Sequence, residues 1–485
     1  MKVKTLTVGP ILGSVTGSNA RIFGRGKYEQ YTQLLFKCWN SLFDKKLHYF
    51  GIARIRTGGE LNFQRPKIFR INPNFDMTGV VIFNNLLTEQ DYEYQIGWVK
   101  CYRKNLENLE GERFDWSNVP TYKFKTAATD SDRNRSFILG SCRYLLRILG
   151  SSLFDDRGDK TFRSILRQID SGVATDGLIM VGDQIYADDL NFIAADQKIH
   201  QFFKRYQEAF SQPYIRKLMA QVPTYMTLDD HEIEDNWPSK ASEKDLVTLF
   251  PVAIHAYMTY QLSHSPLFEL SEDKSKITGT PTKFWYTFSD GCCDFFITDT
   301  RTERYLSDEE TERQIISSQQ MQAIKTWLTN DSGRIKFIAS SVPFFPDSKT
   351  KSSDKWSGFL SQRTELIDFI FRNKIKPVIF LSGDVHCSMS AELICPEQPN
   401  FKIISVVSSA FFWPYAHTQA SSFQLDGTLK TYSSHSYKLV NVSPVYSNDN
   451  FTRVSVEKES LGKSNLKVEV FSRKGKLIHT KEYGL

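Results

Sequence analysis

Leu178-Ile-Met-Val-Gly-Asp-Gln-Ile-Tyr-Ala-Asp188 begins with an uninterrupted apolar run, breaks at a glycine into a carboxylate and, three residues on, reaches a phenol. A short apolar run without alternation marks a strand buried on both faces. Polar side chains just beyond the carboxyl end of such a strand converge on the crevice where α/β sheets bind ligands. The pattern recurs. Phe137-Ile-Leu-Gly-Ser-Cys142 ends in a thiol, and Tyr225-Met-Thr-Leu-Asp-Asp-His-Glu232 ends in three acids and an imidazole. Phe296-Ile-Thr-Asp-Thr-Arg301 ends in a carboxylate and a guanidinium, and Ile379-Phe-Leu-Ser-Gly-Asp-Val-His386 in a carboxylate and an imidazole. Five such strand ends predict a site where several side chains hold metal.

Between these strands lie helical patterns over Gln197–Tyr206, Glu312–Leu328 and Thr364–Phe371, so residues from about 131 onward read as an α/β layered domain. Ser289-Asp-Gly-Cys292 joins two strand-like runs through an Asp-Gly turn, which makes part of the sheet antiparallel. The tail, Leu466–Phe471 and Leu477–Lys481, reads as a closing hairpin. Residues 1–130 are instead β-rich, with strand-like runs at Thr5–Val8, Ala20–Phe23, His48–Ile55, Thr78–Phe83 and Tyr92–Tyr102, punctuated by Gly9-Pro10 and Asn72-Pro-Asn74. Two domains are expected: a small sandwich over 1–130 and a catalytic unit over 131–485.

Composition sets the outer bounds. The 485 residues are 40% hydrophobic and 13% aromatic, enough to bury a large core, which excludes a chain disordered throughout. Sixty-one basic against 55 acidic residues leave a net charge of +6, too dilute over this length for a nucleic-acid footprint. No apolar window reaches the roughly 18–20 residues that span a bilayer. The opening Met1–Pro10 lacks both the apolar run of a signal peptide and an Arg-Arg pair. Seven cysteines without CxxC spacing indicate neither a disulfide framework nor a zinc knuckle. These features predict a cytoplasmic protein, with export of a longer precursor as the alternative.

Each candidate residue also has a structural reading. Cys142 could be a packed thiol, Asp183 a helix cap, His386 a core histidine and Arg301 a partner for Asp299. Asp229-Asp-His-Glu232 resists that treatment, because adjacent carboxylates raise one another's pKa unless a cation lies between them. Together the residues suit phosphoester hydrolysis. One carboxylate can bridge two ions that polarise a phosphoryl oxygen and generate hydroxide at neutral pH, a histidine can protonate the leaving oxygen, and an arginine can clamp phosphate oxygens.

The ordered set Gly-Ser-Cys, Gly-Asp-Gln-Ile-Tyr-Ala-Asp, Asp-Asp-His-Glu, Asp-Thr-Arg and Ser-Gly-Asp-Val-His-Cys-Ser resembles the alkaline phosphatase D (PhoD-like) family of the calcineurin-like metallophosphoesterases, over roughly 136–410. The resemblance implies a four-layer α/β (α+β) fold, a double β-sheet sandwich flanked by helices and preceded by a fibronectin- or Ig-like β-sandwich. It implies hydrolysis of phosphomonoesters or phosphodiesters at a dinuclear site. Cys142, Asp183, Tyr186 and Asp384 would hold iron, and Asp183 would bridge to calcium or another divalent ion (zinc, manganese or magnesium) completed by Asp230, or its neighbour Asp229, and His386. His231 would be the transition-state histidine and Arg301 the phosphate ligand. Members of that family are often exported through a twin-arginine signal, which this opening lacks. The partner implied is a small phosphoester. The alternatives are a non-catalytic phosphate-sensing protein on the same fold, or an N-terminal sandwich that binds protein or glycan through Tyr28, Tyr31 and Trp98, aromatics otherwise read as core.

Overall fold

A computed structural model describes residues 1–27, 48–101, 109, 111–145, 147–148, 151–152, 157–189, 195–350, 352–458 and 464–485. The strand Gly177–Val181, buried at every position, pairs in parallel with Arg135–Gly140 on one side and Thr224–Thr227 on the other. Arg135–Gly140 then pairs antiparallel with Asn450–Lys458, and Ser464–Ser472 and Leu477–Gly484 follow. The closing hairpin thus supplies the outer strands of a six-stranded sheet.

A second, eight-stranded sheet has Cys293–Ile297, Ile335–Ala339, Val378–Ser382 and Gln398–Val407 in parallel at its centre. Tyr286–Asp290 joins one edge through the Asp-Gly turn, where Gly291 takes φ +53°. The two sheets stack face to face, with Phe137 packing edge-on to Phe295 at 5.1 Å and to Phe337 at 5.3 Å. Alternation along each apolar strand serves two layers. Phe295, Phe337, Ile379 and Leu381 enter the core between the sheets, while Phe296, Ile338 and Phe380 enter a second core beneath the helices Ser318–Thr329 and Leu360–Arg372. On the far side the six-stranded sheet is covered by Asp159–Asp170, Ile199–Phe210, Pro213–Met219 and Leu249–Tyr257, which deliver Phe162, Phe202, Tyr206, Leu218 and Ile254. The result is the expected helix, sheet, sheet, helix order.

Three readings are corrected. The helix expected from Glu312 starts at Ser318, because the Ser317 hydroxyl accepts from Gln320 N at 3.2 Å and caps it there, leaving Glu310–Glu312 as a single 3₁₀ turn. The first strand is Val8–Val15, not Thr5–Val8, and Gly9-Pro10 lies inside it, with Gly9 at φ +86° packed 3.1 Å (as a virtual Cβ) from the Phe23 carbonyl. Trp98 is buried, with the Lys4 ammonium 4.9 Å above its ring, so it is a core residue and not a recognition surface; Tyr28 and Tyr31 lie outside the described residues.

The first 125 residues carry a three-stranded sheet (Val8–Val15, Asn19–Arg25, Thr78–Asn84) and a four-stranded one (Lys67–Arg70, His48–Thr57, Asp91–Cys101, Tyr122–Lys125). Leu12, Ile22, Ala53, Tyr94, Ile96 and Trp98 fill the space between them. Val8, Ile11 and Phe23 face the other way, into the core of the six-stranded sheet. Cys292, Cys293, Cys387 and Cys395 are buried thiols. Among the described residues no helix is long and apolar enough to cross a membrane.

Candidate metal centre

The carboxyl ends of the parallel strands of both sheets meet at one edge. Cys142 follows Arg135–Gly140, Asp183 and Tyr186 follow Gly177–Val181, Asp229, Asp230 and His231 follow Thr224–Thr227, and Asp384 and His386 follow Val378–Ser382. The turns that carry them are strained. Cys142 (φ +54°), Asp183 (+56°), Asp384 (+67°) and His386 (+53°) all take the left-handed conformation that side chains other than glycine rarely adopt, and such strain concentrates at functional sites. Gly182 and Gly383 make the approach possible: a Cβ on Gly182 would lie 2.3 Å from the Asp229 Cβ, and one on Gly383 would lie 2.1 Å from Ser141 Oγ.

Three groups of ligand-type atoms form within 4.8 Å: Cys142, Asp183 and His386; Asp183, Asp230 and His231; and Asp229, Asp230 and Asp384. Asp183 is shared by the first two and Asp230 by the last two. Cys142 Sγ lies 3.3 Å from Asp183 Oδ2 and accepts from Ser409 Oγ at 3.0 Å, and the Tyr186 hydroxyl is 3.4 Å from the same Asp183 oxygen. Asp183 Oδ1, Asp229 Oδ2 and His386 Nε2 are buried with neither a hydrogen-bond nor an ion-pair partner, while Asp384 Oδ2 meets the Lys355 ammonium and Asp230 Oδ1 lies 3.5 Å from Arg301 Nη2. Buried acceptors are satisfied in native proteins almost without exception. Three of them converging from three turns, beside two further carboxylates, a thiol and a phenol, fit a cation centre that mixes hard oxygen ligands with a soft sulfur.

The electrostatics agree. Burial, then the charge of Asp229, raises Asp183 well above the carboxylate range; burial, offset by Arg301 and reinforced by Asp230, brings Asp229 to about 7. Burial raises Asp384, and burial with Asp183 and Asp384 raises the Cys142 thiol. For Asp230 the burial cost is outweighed by Arg301 and His231, so its carboxyl stays below its usual value. Burial, with His231 and His417 nearby, lowers His386 to about 3 and leaves a neutral imidazole, the form that binds metal. His231 goes the other way: burial is overcome by Asp230, Asp183 and the Asp188 hydrogen bond, which together hold it protonated.

Residues that strand-end reasoning missed do the bracing. The Glu232 carboxylate accepts from the backbone N–H of Asp183 (3.0 Å), Gln184 (2.6 Å) and Asp229 (3.0 Å) and from Gln261 Nε2 (2.9 Å), so one side chain ties two of the turns together. Asp188 accepts at 2.9 Å from His231 Nδ1, leaving Nε2 as the ring nitrogen directed elsewhere. The position of Asp188, five residues after Asp183 in the opening motif, is the signal that could have marked it.

Arg301 does not lie where a substrate clamp belongs. Its guanidinium is wholly buried: Nε donates to Asp229 Oδ1 (2.6 Å), Nη1 to Asp354 Oδ1 (2.6 Å) and the Trp237 carbonyl (3.2 Å), and Nη2 to Asp354 Oδ2 (3.1 Å). Every nitrogen is committed, which makes it a counter-ion for the acid cluster. Nor does that guanidinium pair with Asp299, whose carboxylate accepts instead from the Arg301 backbone N–H at 3.0 Å. The cation on the open side is Lys355, whose ammonium pairs with Asp384 and lies 3.3 Å from Asp354 Oδ2. It belongs to a polar stretch that carries no motif. A cavity of about 110 Å³ lined by Val15, Lys125, Asp176, Tyr225 and Asp290 lies at the opposite, amino ends of the strands and contains none of these residues.

The family model described as PhoD-like phosphatase matches residues 151–462. Alkaline phosphatase D of Bacillus subtilis (strain 168) is 26% identical over 215 residues, 40% of this chain and 36% of that protein, so the chain spans about a third of the length of the curated relative it matches. A solved structure of PhoD superposes over 99% of this chain and 90% of its own with a TM-score of 0.70 at 16% identity. The purple acid phosphatase PPD1 from yellow lupin (Lupinus luteus) seeds does so over 98% and 73%, with a TM-score of 0.58 at 12% identity. Both structures share its fold, and with the family match covering more than half of its length, this chain belongs to the PhoD-like phosphatases.

Proposed function

We propose that this protein hydrolyses phosphoesters, monoesters or diesters, at a centre holding two cations. The observation that carries the reading is the convergence of buried carboxylate and imidazole ligand atoms, three of them without a partner, with the Cys142 thiol and the Tyr186 phenol. Cys142, Asp183, Tyr186 and His386 would hold the first cation, and Asp183, Asp230 and Asp384 the second; Asp384 and His386 thus exchange the places that the resemblance implied, because Cys142 groups with His386 and Asp230 with Asp384. Sulfur, phenolate and imidazole favour iron at the first position, while a set of carboxylates suits calcium, manganese or magnesium at the second. Asp229, engaged by Arg301 Nε and by Ser341 Oγ at 2.8 Å, is assigned to holding that arginine.

Cations bound here supply charge neutralisation at phosphoryl oxygens and activate a water as nucleophile. The chain's own residues do the rest. Water oxygen bonds to phosphorus as the bond to the leaving oxygen breaks; His231 Nε2, its ring fixed through Nδ1 by Asp188, gives the leaving oxygen its proton. The proton lost by the water passes to solvent, and the products are an alcohol and a phosphate or phosphomonoester. Lys355 is the cation placed to meet a non-bridging oxygen. We also propose a boundary near residue 130 between sandwich and catalytic domain.

The test pairs metal analysis of the purified protein with hydrolysis of a chromogenic monoester and a chromogenic diester. Bound metal in roughly two equivalents and turnover of at least one ester are expected. Protein loaded with iron and a divalent ion that hydrolyses neither would overturn the reading.

A further inference from the structure

From the centre outward runs an unbroken chain of aromatic rings. The Tyr186 ring lies 4.3 Å from His231, 5.2 Å from Tyr144 and 5.8 Å from Trp413. Trp413 stacks on His386, with centroids 3.8 Å apart and planes at 24°. Beyond it Tyr415 packs at 5.1 Å from Trp413 and 5.9 Å from Tyr144 and reaches solvent, 43% exposed. The rings differ in tilt, 60–78° among Tyr144, Trp413 and Tyr415, so they present both faces and edges along one side of the opening.

This wall is built, not draped. The Tyr144 N–H donates to the Phe412 carbonyl (3.1 Å), Trp413 N–H donates to Asp449 Oδ1 (2.9 Å), and His417 hydrogen-bonds the His386 carbonyl through Nδ1 (2.9 Å) while its Nε2 lies 3.3 Å from the same Asp449. The segment carrying Trp413 and Tyr415 is therefore tied at both ends to the turns that carry candidate ligands. A phosphoryl group held at the ligand cluster has these rings beside it, through Tyr186 against His231 and Trp413 against His386, and a group esterified to it can pack on them out to the exposed Tyr415. A saturated ring gains only its buried area and a cation only the ring faces, whereas a flat unsaturated ring gains stacking and edge-to-face contact from faces and edges together.

We infer that the preferred substrates of this centre carry a flat unsaturated ring on the leaving group, which packs against Trp413 and Tyr415. This rests on the phosphoesterase reading for its catalytic consequence but not for its binding one. The test compares benzyl phosphate with cyclohexylmethyl phosphate, two primary-alcohol esters of like size that differ in the ring, and in parallel the binding of benzylphosphonate and cyclohexylmethylphosphonate by calorimetry on metal-loaded protein. The benzyl member is expected to win by about tenfold in kcat/KM, mostly through KM, and in Kd, the scale of one aromatic stacking contact. Tyr415→Ala should collapse that ratio toward one, and Tyr415→Phe should keep it. Equal binding of the two phosphonates, or a ratio untouched by Tyr415→Ala, overturns the inference. Discrimination in binding with no turnover of either ester sustains the binding inference and overturns the monoesterase half of the phosphoesterase reading.

Discussion

At the scale of single residues the proposed mechanism divides the centre into groups that hold charge and groups that move a proton, and substitution separates the two. Asp183 is shared between two ligand clusters, so Asp183→Asn should abolish turnover and lower the metal content, read by elemental analysis. His231 lies in one of those clusters but is held by Asp188. His231→Ala should keep its metal and slow turnover by about 10²- to 10⁴-fold, the usual contribution of a general acid; loss of metal in that variant would make His231 a ligand instead. Cys142, Asp183, Asp229, Asp230, His231, Asp384 and His386 were all legible in sequence as polar residues at strand ends. Glu232, Asp354 and Lys355 were not assigned roles, because theirs arise from carboxylate and ammonium contacts between segments far apart in the chain, which spacing does not encode. Arg301 was legible as functional chemistry and placed in the wrong role, since a guanidinium at a strand end faces inward or outward according to which acids surround it.

At the scale of elements, the strand-to-turn junctions carry the strain that aims the ligands. Gly182 (φ +94°) sits at the first of them, and its missing Cβ is the space Asp229 occupies. Gly182→Ala should cost about 1–2 kcal/mol in backbone conformation and about 1–3 kcal/mol in overpacking, lower the melting temperature, and displace Asp229 from Arg301. A variant as stable as the parent in denaturant unfolding would show that the contact has slack. Most of the parallel strands were easy to read because burial on both faces leaves few polar interruptions. Asn450–Lys458 and the pair Met389–Cys395 and Gln398–Val407 went unread, since their polar positions pair with neighbours that only the sheet brings alongside.

At the scale of the molecule, the two stacked sheets bring four turns, drawn from residues 142 to 386, to one edge, and a cation bound there links them. Chelation of the purified protein should therefore lower its melting temperature in calorimetry. At a free metal concentration 100 times Kd the linkage is about 2.7 kcal/mol, a shift of a few degrees for a chain of this size, and no shift would mean that the folded state does not bind the ion. Sequence alone determined the layered α/β class, the antiparallel turn at Asp290-Gly291, the closing hairpin and the chemical types of the candidate ligands, because strand burial, turn residues and side-chain chemistry are local properties. Tertiary structure alone decided that Arg301 is sealed among Asp229, Asp230 and Asp354, that Glu232 ties the turns of Asp183 and Asp229, and that Trp413 packs on His386 with Tyr415 beside it. Those are distances between residues tens to hundreds apart in the chain, and they exist only once the two sheets have packed.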